Sequence, residues 1–373
     1  MNDSEYVIRD LPTRLNDRHD LDRILLHASS IDASDVFLIS GYPVKATRHS
    51  KVINLSNPKR KISDNEVLNI LRDFYGINAQ AKLGAGEPID TSYDFLNKVT
   101  NERFRFRVNA SPCLRQGRQG YTITFRSIPT TPPKPVDVPL EILDVCRSSV
   151  QGLILVVGAT GNGKSTLLAS ILRDILEEEE ANTNLITLES PIEFVYDYLV
   201  MPSSIVTQME VGKHINSFSE GVTNTLRMAP KIILVGESRD YETISSSIEA
   251  STTGHTVFST LHANSVSETV MRLVNVYPKD LQNQALLDIL TAMKLVIAQR
   301  LVPKIGGGRV ALREYLVFSS DVKQEIQNST NLTTTINGIV KKNGTSMLDY
   351  AKKLLLGGVI EEKTYNLIKN NYE

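Results

Sequence analysis

Residues Gly158-Ala159-Thr160-Gly161-Asn162-Gly163-Lys164-Ser165 fit the pattern G-x-x-x-x-G-K-[ST] without exception, and Thr166 follows. That spacing suits phosphate binding. Glycines let the backbone turn so that several N–H groups point at one anion. A helix starting at this point adds the positive end of its dipole. Lys164 supplies a cation for the β- and γ-phosphates of ATP, and Ser165 offers an oxygen to Mg²⁺. A second candidate is the apolar run Ile232-Ile-Leu-Val235, which leads through Gly236 into Glu237. An acid there occupies the Walker B position, from which it reaches Mg²⁺ or the metal's water. A third is Thr187-Leu-Glu189-Ser-Pro191-Ile-Glu193, two acids about a proline that stiffens the turn. Such a turn can hold a general base beside a γ-phosphate, and it can equally be structural.

His255 and His262 flank Thr256-Val-Phe-Ser-Thr-Leu261. A neutral imidazole can sense a γ-phosphate or switch near neutral pH, and no third metal-type ligand lies at a spacing that suits zinc. Arg103, Arg105 and Arg107 alternate along one strand-like run, and Arg126 ends the next. Two readings stand side by side: an edge strand kept soluble by charge, or an arginine finger reaching another subunit's nucleotide. Cys113 and Cys146 have no basic cluster that would activate a thiol and read as fillers.

The elements that must carry these residues can be read from periodicity. Leu153–Val157, Leu185–Leu188, Ile232–Val235 and Thr256–Ser259 are short apolar runs, most followed by helical patterns. They predict a mostly parallel, doubly wound α/β sheet. Leu286–Leu301 is expected to form one long helix, and the Thr/Asn-rich stretch Ser329–Gly338 a loop. Earlier in the chain, Leu21, Ile24, Leu25 and Ala28 sit at helical spacing. Asp35–Pro43 reads as a strand into a turn. Ile62–Tyr75 reads as a helix capped by Ser63 or Asp64 and stopped at Gly76. Arg103–Asn109 and Tyr121–Arg126 alternate strictly, as antiparallel strands do. Between the halves, Pro129, Pro132, Pro133 and Pro135 place four prolines in seven positions, which favours a semi-rigid extended connector. The expected organisation is therefore a small α+β domain over 1–129, a linker over 130–136 and a doubly wound α/β domain carrying the phosphate loop over 137–373.

Composition sets the outer limits. Of 373 residues, 41% are hydrophobic and 22% charged, which suits a globular protein with a full core. Forty-one Lys and Arg against 42 Asp and Glu leave a net charge of −1, so no bulk attraction to nucleic acid or anionic lipid is expected. The start Met-Asn-Asp-Ser-Glu has neither a basic region nor an apolar one, and no apolar run reaches the roughly 18 residues of a bilayer span. A cytoplasmic protein is expected, with any membrane role peripheral.

Several of these segments together resemble the secretion-ATPase superfamily, in its PilT-like branch. They are Ala33-Ser-Asp35, Arg105–Asn109, the phosphate loop, Pro191-Ile-Glu193 and Val235–Asp240, followed by Thr253-Gly-His255 and Thr260-Leu-His262. Val296–Leu301 and Gly308–Glu314 extend the likeness. Gly120–Pro133 is similar to the DotB-like group of type IVB (Dot/Icm) secretion and to the TraJ-like ATPases of conjugative plasmids. The resemblance implies a PAS-like N-terminal domain joined to a RecA-like ATPase domain and a cytoplasmic homohexamer that works with inner-membrane secretion components. It further implies Glu193 as catalytic base, Glu237 as Walker B acid, His255 and His262 as the paired histidines of the His box, and Arg107 and Arg126 as arginines offered to a neighbour. Two departures stand out: Ser190 where retraction motors carry Asp, and Ala229 before Pro230 where they carry Asp. They spare the residues assigned to chemistry. A pilus retraction motor and a RecA-like helicase are the alternatives.

Overall fold

The alternating runs around Arg103 and Tyr121 become the two longest strands of an antiparallel sheet. In the computed structural model, which describes residues 6–49 and 51–372, this sheet holds β1 (Asp35–Ile39), β2 (Lys45–Arg48), β3 (Lys51–Asn54), β4 (Ile89–Asn97), β5 (Glu102–Arg115) and β6 (Arg118–Ile128). Their order is β3-β2-β1-β6-β5-β4. Phe106, Val108, Ala110, Ile123 and Phe125 turn one face into a core shared with Leu21, Ile24 and Leu25 of the helix Arg18–Ser30 and Ile70 and Leu71 of the helix Asp64–Tyr75. The second helix starts at a capping box. Ser63 Oγ accepts from the Glu66 amide at 3.3 Å, and Glu66 Oε2 accepts from the Ser63 amide at 2.8 Å. Each bond satisfies an amide that the first helical turn leaves unpaired.

Contacts divide the chain into two units between Thr130 and Thr131. The second unit is built on β7 (Gly152–Val157), β8 (Asn184–Glu189), β9 (Ile205–Glu210), β10 (Ile232–Val235), β11 (Thr256–Leu261), β12 (Met293–Pro303) and β13 (Arg309–Val317). Their order is β13-β12-β7-β11-β10-β8-β9, and every neighbouring pair is parallel except β12 with β13. Both faces are covered. Leu153, Leu155 and Val157 enter one core cluster, while Ile154 and Val156 enter the other. A strand buried on both sides needs an unbroken apolar run, which is why β7, β10 and β11 are legible as such.

Two expectations fail. Leu286–Leu301 is not one helix: a helix covers Gln282–Ala292, and β12 begins at Met293. Leu295, Val296 and Ile297 are all fully buried and pair with β7 on one side and β13 on the other. Periodicity alone does not separate a doubly buried strand from a buried helix, and the β-branched pair Val296-Ile297 was the discriminating signal. The polar stretch Ser329–Gly338 is likewise no loop over its length. The helix Leu332–Asn343 starts inside it, capped by Asn331 Oδ1, which accepts from the Thr334 amide at 3.0 Å. Burial of Ile336, Ile339 and Val340 outweighs the weak helix propensity of Thr and Asn. Among the described residues, no helix is long and apolar enough to cross a membrane.

Candidate active site

The phosphate loop leaves the carboxyl end of β7, and the helix Lys164–Leu176 follows it directly. Gly158, Gly161 and Gly163 all have positive φ. Two of them are demanded by their surroundings as well. A Cβ on Gly158 would lie 2.4 Å from the backbone oxygen of Gln299, and Gly163, at φ +74, caps the helix in the left-handed region. Ala159, Thr160, Gly161 and Thr166 are exposed, whereas Asn162, Gly163, Lys164 and Ser165 are half-buried. This leaves one side of the loop open to a ligand.

Lys164 Nζ donates to the carbonyls of Gly158 at 2.8 Å and Ala159 at 3.2 Å. Partial burial lowers its pKa, opposed by the nearby carboxylates of Glu237 and Glu193. The lysine thus brings the motif, the Pro191 turn and the end of β10 into one electrostatic neighbourhood. Glu237 sits two residues beyond β10 with Oε1 buried, flanked by Arg239 and by His262 Nε2 at 3.1 Å. Burial and then the positive charge of Lys164 lower the His262 pKa, which favours a neutral imidazole.

Glu193 is positioned by Glu189. The Glu189 side chain is buried at the end of β8, where its Oε2 accepts from the Glu193 amide at 3.3 Å. Its other oxygen accepts from Thr187 Oγ1 at 2.7 Å and from Gln208 Nε2 at 3.3 Å. Burial pushes the Glu189 carboxyl up to about 7.

The residues fit a nucleotide with Mg²⁺. Ser165 and Glu237 provide oxygen donors, which a hard cation prefers. Among the described residues no cluster of three or more His, Cys, Asp or Glu forms a closed metal cage.

Not every candidate residue reaches this place. His262 follows β11 at the loop end of the sheet, but His255 precedes the same strand. Seven residue steps of extended chain separate them by roughly 20 Å. His255 Nδ1 lies 3.1 Å from the Ala250 carbonyl, and its own carbonyl accepts from Gly152 at the start of β7. Arg107 and Arg126 belong to the first unit, where they stand directly opposite each other on β5 and β6. Arg107 Nη2 pairs with Asp90 at 2.6 Å, and Arg126 Nε with Asp35 at 2.8 Å. The arginine stripe is not uniformly exposed, because Arg105 between Arg103 and Arg107 is buried.

Gln299 and Arg313 received no role from the sequence, although both lie in segments of resemblance. Gln299 Nε2 donates to the carbonyls of Asn162 at 2.8 Å and Gly163 at 3.0 Å, and Arg313 Nε donates to Gln299 Oε1 at 2.9 Å. Reading 286–301 as a helix hid Gln299. Seen as a strand beside β7, its side chain falls next to the loop.

A parallel sheet covered on both faces, with a glycine loop running into a helix and an acid ending a nearby strand, defines a P-loop nucleotide-binding protein. The type II/IV secretion system protein family model matches residues 19–307, and the chain belongs to that family, the superfamily of PilT-like secretion ATPases. The crystal structure of the ATPase DotB of Legionella pneumophila matches at TM-score 0.91 and 40% identity, covering 98% of this chain and 99% of that one. A structure of the pilus retraction motor PilT with bound ADP matches at TM-score 0.79 and 30% identity, over 92% of this chain and 95% of its own. The type IV pilus retraction ATPase PilT of Pseudomonas aeruginosa is 34% identical over 311 residues, 83% of this chain and 85% of its own length.

Proposed function

We propose that this chain is a Mg²⁺-dependent ATPase working as a cytoplasmic homohexamer that powers a type IVB secretion or conjugation machine at the inner membrane. The observation that carries the reading is the phosphate loop running from the carboxyl end of β7 into the helix Lys164–Leu176, with Lys164 within electrostatic reach of Glu237 and Glu193. The likeness to DotB, 40% identity over 98% of this chain, supports the choice of machine.

The loop amides and Lys164 bind the phosphates of ATP. Ser165 and Glu237 would hold Mg²⁺, which would supply charge neutralisation for the β- and γ-phosphates. Glu193 orients the attacking water and takes its proton, held in place by the Glu189 contact to its amide. Neutral His262 stands beside Glu237, its Nε2 3.1 Å from the carboxylate. Arg107 and Arg126 serve a neighbouring subunit's site, exchanging Asp90 and Asp35 for phosphate oxygens. Segment 130–136 is the hinge between an N-terminal domain, 1–129, and the ATPase domain, 137–373.

The test is phosphate release from ATP by the purified chain with and without Mg²⁺, together with its mass in solution. A monomer without Mg²⁺-dependent turnover would overturn the reading. The relatedness to PilT supports a second reading, a type IV pilus retraction motor. Deleting the gene separates the two: loss of secretion or conjugation in one case, loss of pilus retraction in the other.

A further inference from the structure

We propose that Gln299 and Arg313 are positioning residues that aim the amides of Gly163 and Lys164 at phosphate and tie that aim to the backbone at Asp137. The inference rests on the ATPase reading. A trans peptide is planar, with its C=O and the next residue's N–H pointing in opposite directions. Gln299 holds the carbonyls of Asn162 and Gly163 on the β12 side of the loop. The N–H groups of Gly163 and Lys164 must then point away from β12, toward the open side. The Gly163 carbonyl also accepts from Leu167 at 2.9 Å, so Gln299 occupies its second lone pair. The Leu301 amide adds a third tie, donating to Asn162 Oδ1 at 3.2 Å.

A glutamine amide can flip, and a flipped Gln299 would set its oxygen against two carbonyls. Arg313 prevents this, because a guanidinium has no acceptor and can only meet Oε1. Both side chains are about 95% buried, at 4% and 5% exposure, so a lost bond leaves an unsatisfied polar group. Arg313 Nη1 also donates to the Asp137 carbonyl and to Tyr350 Oη at 3.2 Å. Asp137 stands directly after the proline-rich stretch with φ +56, so one guanidinium holds both the loop's support and the chain entering this unit.

The experiment measures affinity for fluorescently labelled ADP on the full chain, with the thermal midpoint of each nucleotide-free variant as a check on folding. Gln299→Leu should weaken ADP binding roughly tenfold to a hundredfold, the usual consequence of unmaking bonds to buried partners. Arg313→Leu should do the same, and Arg313→Lys, which restores a donor, should recover part of the loss. A merely structural role would not order Lys above Leu in ADP affinity at matched thermal midpoints. Folded Gln299→Leu and Arg313→Leu proteins that bind ADP like wild type would overturn the proposal. Hydrogen exchange on wild type decides the case if the variants do not fold. ADP should slow exchange at residues 137–140 as well as 158–166, and an unchanged 137–140 overturns the tie to Asp137. Failure of wild type to bind ADP would instead sink the ATPase reading, so the two failures are told apart.

Discussion

The two sheets of this molecule hold their charged residues in opposite ways. In the parallel sheet, Lys164, Glu193 and Glu237 come from three segments that follow the carboxyl ends of β7, β8 and β10, where one chain supplies cation and acids within electrostatic reach of each other. In the antiparallel sheet, Arg107 and Arg126 lie on an exposed face, and each is paired with an aspartate of its own unit. Two like charges directly opposite on neighbouring strands repel, and Asp90 and Asp35 offset that cost. The parallel sheet therefore encodes a site, and the antiparallel sheet encodes a face whose use depends on what meets it. The difference shows why a loop motif names its ligand when a charged stripe does not.

The largest expected effect falls on the parallel sheet. Lys164→Ala should abolish hydrolysis and weaken nucleotide binding, measured by phosphate release and ADP titration. Full turnover in that variant would remove the site as described. Glu193→Gln should keep ATP binding but lower turnover by about 10²–10⁴-fold. Loss of binding together with turnover would make Glu193 structural, and unchanged turnover would move the base to another residue, with Glu237 first in line.

The antiparallel face is tested by mixing. Lys164→Ala and Arg107→Ala should each be nearly inactive alone. If Arg107 completes a neighbour's site, co-assembly pairs an intact loop with an intact arginine at about a quarter of the interfaces, and activity returns in part. A flat mixture means that Arg107 does not act on a neighbour, provided that wild type mixed with Lys164→Ala loses activity only in proportion.

The smallest effect concerns stability. Glu189 has its folded pKa raised to about 7 by burial. A raised carboxyl pKa contributes stability that is fully present below its unfolded value, near 4.5, and is lost as pH rises through about 7. Glu189→Gln should flatten that part of the pH profile and raise the thermal midpoint at pH 8 relative to wild type. An unchanged difference between pH 5 and pH 8 would show that the carboxyl titrates elsewhere.

How much of this was legible follows the same division. The phosphate loop and the end of β10 could be read because each function needs fixed residues at fixed local spacing, and β7 and β10 because burial on both faces demands apolar runs. The helix Asp64–Tyr75 announced itself through Ser63 and Gly76. β12 was hidden because a doubly buried strand imitates a buried helix, and with it went the part Gln299 plays. The separation of His255 from His262, by contrast, was legible: with Thr256–Ser259 read as a strand, the histidines that flank it fall at its opposite ends. Asp90 and Asp35 are ordinary acids in the sequence, and register alone brings them to Arg107 and Arg126.

The contact between Gln299 and the loop also sets a schedule for biosynthesis. Gly158 and Gln299 are 141 positions apart in the chain. At about 5–20 residues per second, a ribosome spends roughly 7–30 s between making the loop and making the strand that supports it. Through that interval β7 has no β12 beside it, and a strand meant for the sheet interior presents a bare edge. The nascent chain thus carries its most recognisable motif well before the strand that supports it, and a chain ended at Ala292 would spell out the loop without Gln299 to hold it.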